Sequence, residues 1–478
     1  MLRPMESTSS SDPTDLLLEA LEADGGPNVE LRYHSKRTRS VSVENGRVDQ
    51  ARLAEHAGVG VRVQAAGIYG FASTASLEVG AIRAAVEDAR AAAVASAESG
   101  KGSGETRALP PADLAQGCFS EPGFEELQAK PIEDRLEWVL AIEARTRAAS
   151  ASIQSAVCRY AEVFEEKGIV TSDGAKAWTR LVRPEFATSA VAAKDGEIQR
   201  GARSVGSTGA WDCLFRRADP EQYSEEAAAM AVNLLRAGHV EGGRKRVILS
   251  PSLVGLLTHE AIGHTVEADF VAAGSCAQGR MGQQVASELV TLCDSGASEY
   301  LPGAGGTLAV DDEGVLAGRT EIIRAGILTS YLHDRRSAAE FGVPPTGNAR
   351  AWEYDDAPLI RMRNTYIEPG ASSLEEMIAA TEDGLLLDGP KNGQADANGE
   401  FMFGTLQAWP IKRGVRGELL RGTNISGTAF DVLRSVTAVG GEFEWDLGSG
   451  HCGKGQPMKV DAGGPWLACE VLVGGQVQ

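Results

Sequence analysis

His259, Glu260 and His264 place two imidazoles and a carboxylate within six residues, directly after the apolar run Leu253, Val254, Leu256, Leu257. Neutral imidazole is a good zinc ligand, and a glutamate beside a metal-activated water can take its proton. The spacing departs from the usual H-E-x-x-H, whose histidines sit at i and i+4, roughly 40° apart around a helix. Here the second histidine is at i+5, roughly 140° from the first, and on a regular helix the rings diverge. One inserted residue forming a single π turn returns them to one face, and such turns concentrate at functional sites. Gly263 is a weak helix former and makes that distortion cheap. The expectation is a zinc site on a bulged helix. Two ordinary hydrogen-bonded histidines would give the same spacing. The chain has only seven histidines, however, and Glu267 and Asp269 follow as carboxylates able to orient ligand imidazoles.

Catalytic zinc usually takes three protein ligands and a water. Candidates for the third are Glu267, Cys276, Cys293, His451 and Cys452. The segment Gly448-Ser-Gly-His451-Cys452-Gly-Lys454-Gly-Gln456 favours Cys452, because flanking glycines present a thiolate without crowding. Lys454 and a bound cation would both lower the thiol's pKa. A buried structural cysteine is the competing reading.

His259-Glu-Ala-Ile-Gly-His264-Thr-Val-Glu267-Ala-Asp269, with Gly-His451-Cys452-Gly-Lys-Gly-Gln456 far downstream, resembles the TldD/PmbA family of metallopeptidases. Asp311-Asp-Glu-Gly314, Asp334-Arg-Arg336, Pro345-Thr-Gly-Asn348, Arg361-Met-Arg-Asn364, Gly393-Gln-Ala-Asp396 and Gly399-Glu-Phe-Met-Phe403 fall in the matching order. The likeness covers the chain from about residue 245 onward; before that it lies in layout more than motif. It implies His259, His264 and Cys452 as zinc ligands and Glu260 as catalytic base. The family has two kinds of subunit, and this sequence resembles the metal-binding, catalytic kind. The loop after Cys452, Gly-Lys-Gly-Gln, reads one residue short of some relatives, which bears on loop geometry. The resemblance also implies extended or unfolded peptide substrates, bound by strand addition, and a dimer, either of two identical chains or with a metal-free relative.

The expected reaction is hydrolysis of a peptide amide, in precursor maturation or in protein turnover. Two alternatives compete: a zinc amidohydrolase acting on a small peptide-like or N-acyl metabolite, and a non-catalytic partner subunit of a protease complex. His333, His451, Arg335 and Arg336 are candidates to stabilise an oxyanion. Asn364 and Asp396 are candidates to position substrate by hydrogen bonds, and Glu267 is expected to orient His264.

The net charge of −20 argues against a nucleic-acid partner, whose binding draws on a basic patch, and against anionic membrane surfaces. Seven cysteines without regular spacing do not read as a disulfide framework. No apolar run approaches the ~20 residues of a membrane span. The first twelve residues lack an apolar signal core and read as disordered, so cytoplasmic residence is expected.

At 478 residues the chain should hold two or three domains, and 56 glycines point to many tight turns. The reading is α+β: an N-terminal α/β domain (13–98) with strands packed by helices, a linker (99–120), a middle α+β region (121–240) and a β-rich C-terminal domain (241–478) carrying the metal-binding helix. Expected elements are a helix over 13–24, strands over 29–34, 39–44, 47–53, 59–64 and 68–73 with a hairpin at Asn45-Gly46, and a helix over 77–97. The polar stretch 98–106 reads as flexible. Helices follow over 132–149 and 221–235, flanking strands that turn at Asp173-Gly174 and Asp195-Gly196. A short strand over 246–249, the motif helix after Pro251 and a helix near 373–381 complete the expectation.

Overall fold

The structure, a computed structural model, describes residues 12–24, 26–101 and 108–475. Of the start expected to be disordered (1–12), residues 1–11 lie outside the described residues, as does the linker stretch 102–107, while Asp12 is described. Helix Pro13–Asp24 starts behind Asp12, whose carboxylate accepts from the Thr14 amide at 2.9 Å. Strands β1 (Val29–Glu44), β2 (Arg47–Ala65) and β3 (Ile68–Thr74) follow as an antiparallel meander. Asn45 and Gly46 both take positive φ, the conformation a two-residue hairpin needs. The expected strands 29–34 and 39–44 are one continuous strand, because polar Ser35–Thr38 is paired on both sides, by β2 and by a later strand. Helix Val79–Ser96 buries Ile82, Val86 and Ala89 on the meander. Gly70 permits its approach, since a Cβ there would sit 1.9 Å from the Ala89 carbonyl.

Two parts of the expected linker are ordered. Residues Ala97–Lys101 continue the helix as a π turn, and β4 (Gln116–Ser120) pairs in parallel with β6. Strands β5 (Ile153–Thr171), β6 (Lys176–Lys194) and β7 (Glu197–Gly206) form a second meander, covered by helices Ile132–Ala148 and Pro220–Leu234. Because β1 pairs with β5, the two meanders are a single seven-stranded sheet.

The C-terminal half is built around a closed ring of five strands. β8 (Gly243–Leu249) pairs with Asp383–Ala395 and with Leu467–Val473; Asn424–Thr428 and Glu400–Lys412 complete the circuit back to Asp383–Ala395. Closure leaves no free edge among these five. Beside the barrel lies a six-stranded sheet whose middle strands are Leu292–Ser295, Asn364–Ile367 and Asp461–Gly464. The helix that starts at Pro251 leaves the end of β8 and is wedged between the two. It buries Leu253, Val254, Leu257 and Ala261 against barrel residues Leu249, Leu387 and Phe403. The fold is therefore α+β, with a β-rich C-terminal half. Among the described residues no helix is long and apolar enough to cross a membrane.

The halves meet through buried charge. Arg62 pairs with Glu30 and Glu313, Arg335 with Asp173, and Asp312 with Lys167 at 2.9 Å. Within the C-terminal half, Asp294 is fully buried and accepts from the Arg363 amide and guanidinium (both 2.8 Å), the Asn348 side chain (2.9 Å) and the Thr365 hydroxyl (3.0 Å). Removing one partner of such a pair strands the other charge in the interior. Asp294→Ala should thus lower stability by about 3–5 kcal/mol in urea unfolding, and a loss below about 1 kcal/mol would contradict the role assigned to this pair.

Candidate metal site

The wedged helix changes register where the histidines sit. Pro251–Leu256 is α-helical, Leu257–Gly263 is π-helical, and the His264 amide closes the turn on the His259 carbonyl. A π turn lets residues five apart share a face, and the two imidazole centroids are 5.2 Å apart. The bulge expected from the spacing is present. Gly263 serves more than helix flexibility: a Cβ there would fall 1.8 Å from Met362 Sδ.

Cys452 arrives from a point 188 residues further along the chain. It lies on a two-residue strand, His451–Cys452, paired with Met458–Lys459. Its Sγ is 3.2 Å from His264 Nε2, and one ligand atom each from His259, His264 and Cys452 all lie within 4.8 Å of one another. Edges of about 3.3–3.8 Å are what zinc bonds of about 2.0–2.3 Å in a tetrahedron require. His259 is 2% exposed, and neither of its ring nitrogens has a hydrogen-bond partner among the described residues. A buried, unpartnered imidazole is costly unless something else occupies its lone pair.

Glu267 accepts from His264 Nδ1 at 2.9 Å, which aims Nε2 at the thiol. Lys454 Nζ donates to Glu267 (3.0 Å), Asp269 (2.9 Å) and the Ile360 carbonyl (3.0 Å). Burial works to raise the Cys452 thiol, but His259 and His264 override it and hold it down to about 3. Burial likewise works to lower His264, yet Glu267 and Cys452 push it up to about 10. The triad is a site that demands positive charge. Glu260, next to His259, is partly exposed and makes no hydrogen bond or ion pair among the described residues.

Other residues expected near the chemistry have structural work elsewhere. Asn364 is fully buried, accepting from the Gly306 amide and donating to the Ala297 carbonyl and Thr307 hydroxyl, so both ends of its amide are used. Asp396 caps a hairpin turn through the Asn398 and Glu400 amides. His333 packs on Phe341 and meets Ser337 at 3.1 Å; burial holds it down to about 4. His451 lies edge-on to Trp352 with Nε2 3.8 Å from Glu185. Asp269 reaches the site only through Lys454. Arg335 is committed to Asp173, and Arg336 to Glu340 at 3.1 Å. Cys293 is buried beside Arg319, and Cys276 backs the turn at Gly399. Neither thiol joins the three-ligand group.

Arg361 is the residue whose role spacing does not reveal. Its guanidinium donates to the carbonyls of Cys452 (2.8 Å), Gln456 (2.7 Å) and Lys454 (3.4 Å), gripping the cysteine loop from inside. Its place in the Arg361-Met-Arg-Asn364 segment is the signal the sequence carries; its full burial appears only in the structure.

Models of three consecutive domains match the chain: PmbA/TldA metallopeptidase domain 1 at residues 29–93, the central domain at 125–235 and the C-terminal domain at 242–475. A metalloprotease of Methanothermobacter thermautotrophicus is 31% identical over 452 residues, covering 94% of this chain and 95% of its own. A metalloprotease TldD homolog of Haemophilus influenzae is 29% identical and covers 98% of both. A zinc metalloprotease TldD homolog of Saccharolobus solfataricus is 35% identical over 289 residues, 60% of this chain and 64% of its own. The crystal structure of TldE from Thermococcus kodakarensis superposes with a TM-score of 0.77 at 19% identity, over 96% of this chain and 99% of that one, a likeness of fold.

The grip of Arg361 is open to a direct check. In Arg361→Leu, amide hydrogen exchange across residues 452–456 should accelerate while β1, β5 and β6 keep their protection. Unchanged exchange in that loop would remove Arg361 from its support.

Proposed function

Because the chain belongs to the PmbA/TldA metallopeptidase family, we propose that it is a zinc-dependent peptidase whose metal is held by His259, His264 and Cys452. The observation that carries this reading is the convergence of two imidazoles and a distant thiol within 4.8 Å, with both ring nitrogens of His259 buried and unpartnered. Two nitrogens and one sulfur suit zinc, and three protein ligands leave a position open. Zinc held there supplies Lewis acidity toward an amide carbonyl and a neighbouring water.

The chain's own groups do the rest. Glu260 has no competing partner among the described residues, so its carboxylate is free to accept a proton from water and return it to the departing amine nitrogen. Glu267 keeps His264 oriented, and Lys454 balances the charge of Glu267. In this reading the substrate is an unfolded or extended peptide, as the family resemblance implies, and the chain acts as one subunit of a dimer. The complete ligand set weighs against a non-catalytic partner role. An N-acyl metabolite would need the same proton transfers, so comparing unstructured peptides with N-acyl compounds separates those two substrates.

Metal analysis of the purified chain should find about one zinc per chain, and Cys452→Ser should lose it; undiminished zinc in that variant would exclude the thiol. Glu260→Gln should keep the metal while peptide hydrolysis falls by about 10²–10⁴-fold. Hydrolysis at the parent rate would reject Glu260 as the base. Glu267→Gln should weaken zinc by about 10–100-fold in chelator competition, as loss of a group orienting a ligand imidazole does.

A further inference from the structure

A cleft of about 540 Å³ separates the seven-stranded sheet from the C-terminal half. That volume falls within the range of about 300–1,000 Å³ common to small-ligand sites, which favour such junctions between units. Its two walls carry opposite charge. On the sheet wall, Arg159 lies opposite Ala187 and Arg200 opposite Val191, so both project from one face of β6 and its neighbours. Arg159 has only the Ser42 hydroxyl at 3.3 Å, and Arg200 has no partner among the described residues. On the facing wall, Asp388 has no partner among the described residues, and Asp446 shares a single guanidinium, Arg217, with Glu444. Burial pushes Asp446 up to about 7, against the pull of Arg217. Arg217, from the sheet side just before helix Pro220–Leu234, spans to Asp446 and Glu444, while Arg159, Arg200 and Asp388 make no ion pair across the cleft among the described residues.

A largely buried tyrosine also lines the cleft. Tyr223 is 5% exposed, and its hydroxyl is shielded from solvent with no hydrogen-bond partner. Leaving a buried hydroxyl unmatched is costly, and a ligand carbonyl or carboxylate would answer it. A simple anion would answer only the arginine wall, and a simple cation only the aspartate wall. A zwitterion answers both.

We propose that this cleft is a second binding site, for a short peptide with free termini: its ammonium group meets Asp388 and Asp446, its carboxylate meets Arg159 and Arg200, and Tyr223 donates to it. Ser449, on the cleft rim, is three residues from Cys452, so an occupant would lie beside the loop that carries the thiol. The inference stands on the cleft's own charges and does not need the hydrolase reading to hold.

Isothermal titration of the full-length Glu260→Gln chain with tetra-alanine tests it; the substitution serves only to keep the peptide intact. N-acetylation or C-terminal amidation of the peptide should each weaken binding by about tenfold or more, the loss of one charge-assisted hydrogen-bond set. Asp388→Asn should reduce the penalty for acetylation, and Arg200→Gln should reduce the penalty for amidation. Equal affinity for free and capped peptides, undiminished discrimination in both variants, or no binding at millimolar peptide would each overturn the site. If the variant binds in this pattern and the zinc-loaded parent chain hydrolyses no unstructured peptide, the peptidase reading falls and the cleft stands.

Discussion

Three consecutive residues, Arg361, Met362 and Arg363, hold the candidate site together. Met362 fills the space that Gly263 leaves open, so the π turn bearing both histidines seats directly on its sulfur. Arg361 reaches the other way, into the carbonyls of the cysteine loop. Arg363 fastens the segment to Asp294 with both groups out of solvent. A metal site assembled from two distant stretches needs its halves placed within a few tenths of an ångström, and a short rigid segment touching both is an economical way to achieve that. The buried charges of Arg361 and Arg363 would be a burden if unpaired. Here carbonyls and one carboxylate answer them, so the segment gains directionality that an apolar wedge could not supply.

The same strategy joins the halves of the molecule. Arg32, on β1, donates to the backbone carbonyls of Glu353 (3.0 Å) and Asp356 (2.7 Å), curling that loop around a guanidinium. The neighbouring Trp352 amide donates to Gln456 in the cysteine loop. The N-terminal sheet is thereby linked, through one loop, to the segment that presents Cys452. Motifs that carried the family resemblance, Asp311-Asp-Glu and Pro-Thr-Gly-Asn348, belong to this polar web. Asp312 pairs with Lys167, Glu313 with Arg62, and Asn348 bonds to Asp294 and to the Arg361 carbonyl. Their part is to align surfaces.

What could be read from the sequence follows the range of the interactions involved. The hairpin at Asn45-Gly46, the helix capped by Ser373 and the π turn all depend on contacts within a few residues, and spacing reveals them. Closure of the five-stranded barrel depends on pairing β8 with a strand more than two hundred residues later, which no local pattern encodes. The continuity of β1 was obscured because Ser35–Thr38 look like a break, while pairing on both sides makes polar residues acceptable there. Asn364 shows the opposite failure. Its residue type suits substrate contact, but burial turns it into a structural link between loops.

Charge balance favours an anionic third donor over a neutral one at the candidate site. Lys454 neutralises one of the carboxylates Glu267 and Asp269, leaving one negative charge around His264 besides the thiolate. A divalent cation would offset those two charges, and in a buried site such compensation matters more than the identity of any one donor. Glu267 and Cys452, the groups that push His264 up to about 10, would also favour a cation at its Nε2. A metal held there would need Nε2 free of its proton, so metal affinity should fall as acidity rises, with Glu267 still orienting the ring.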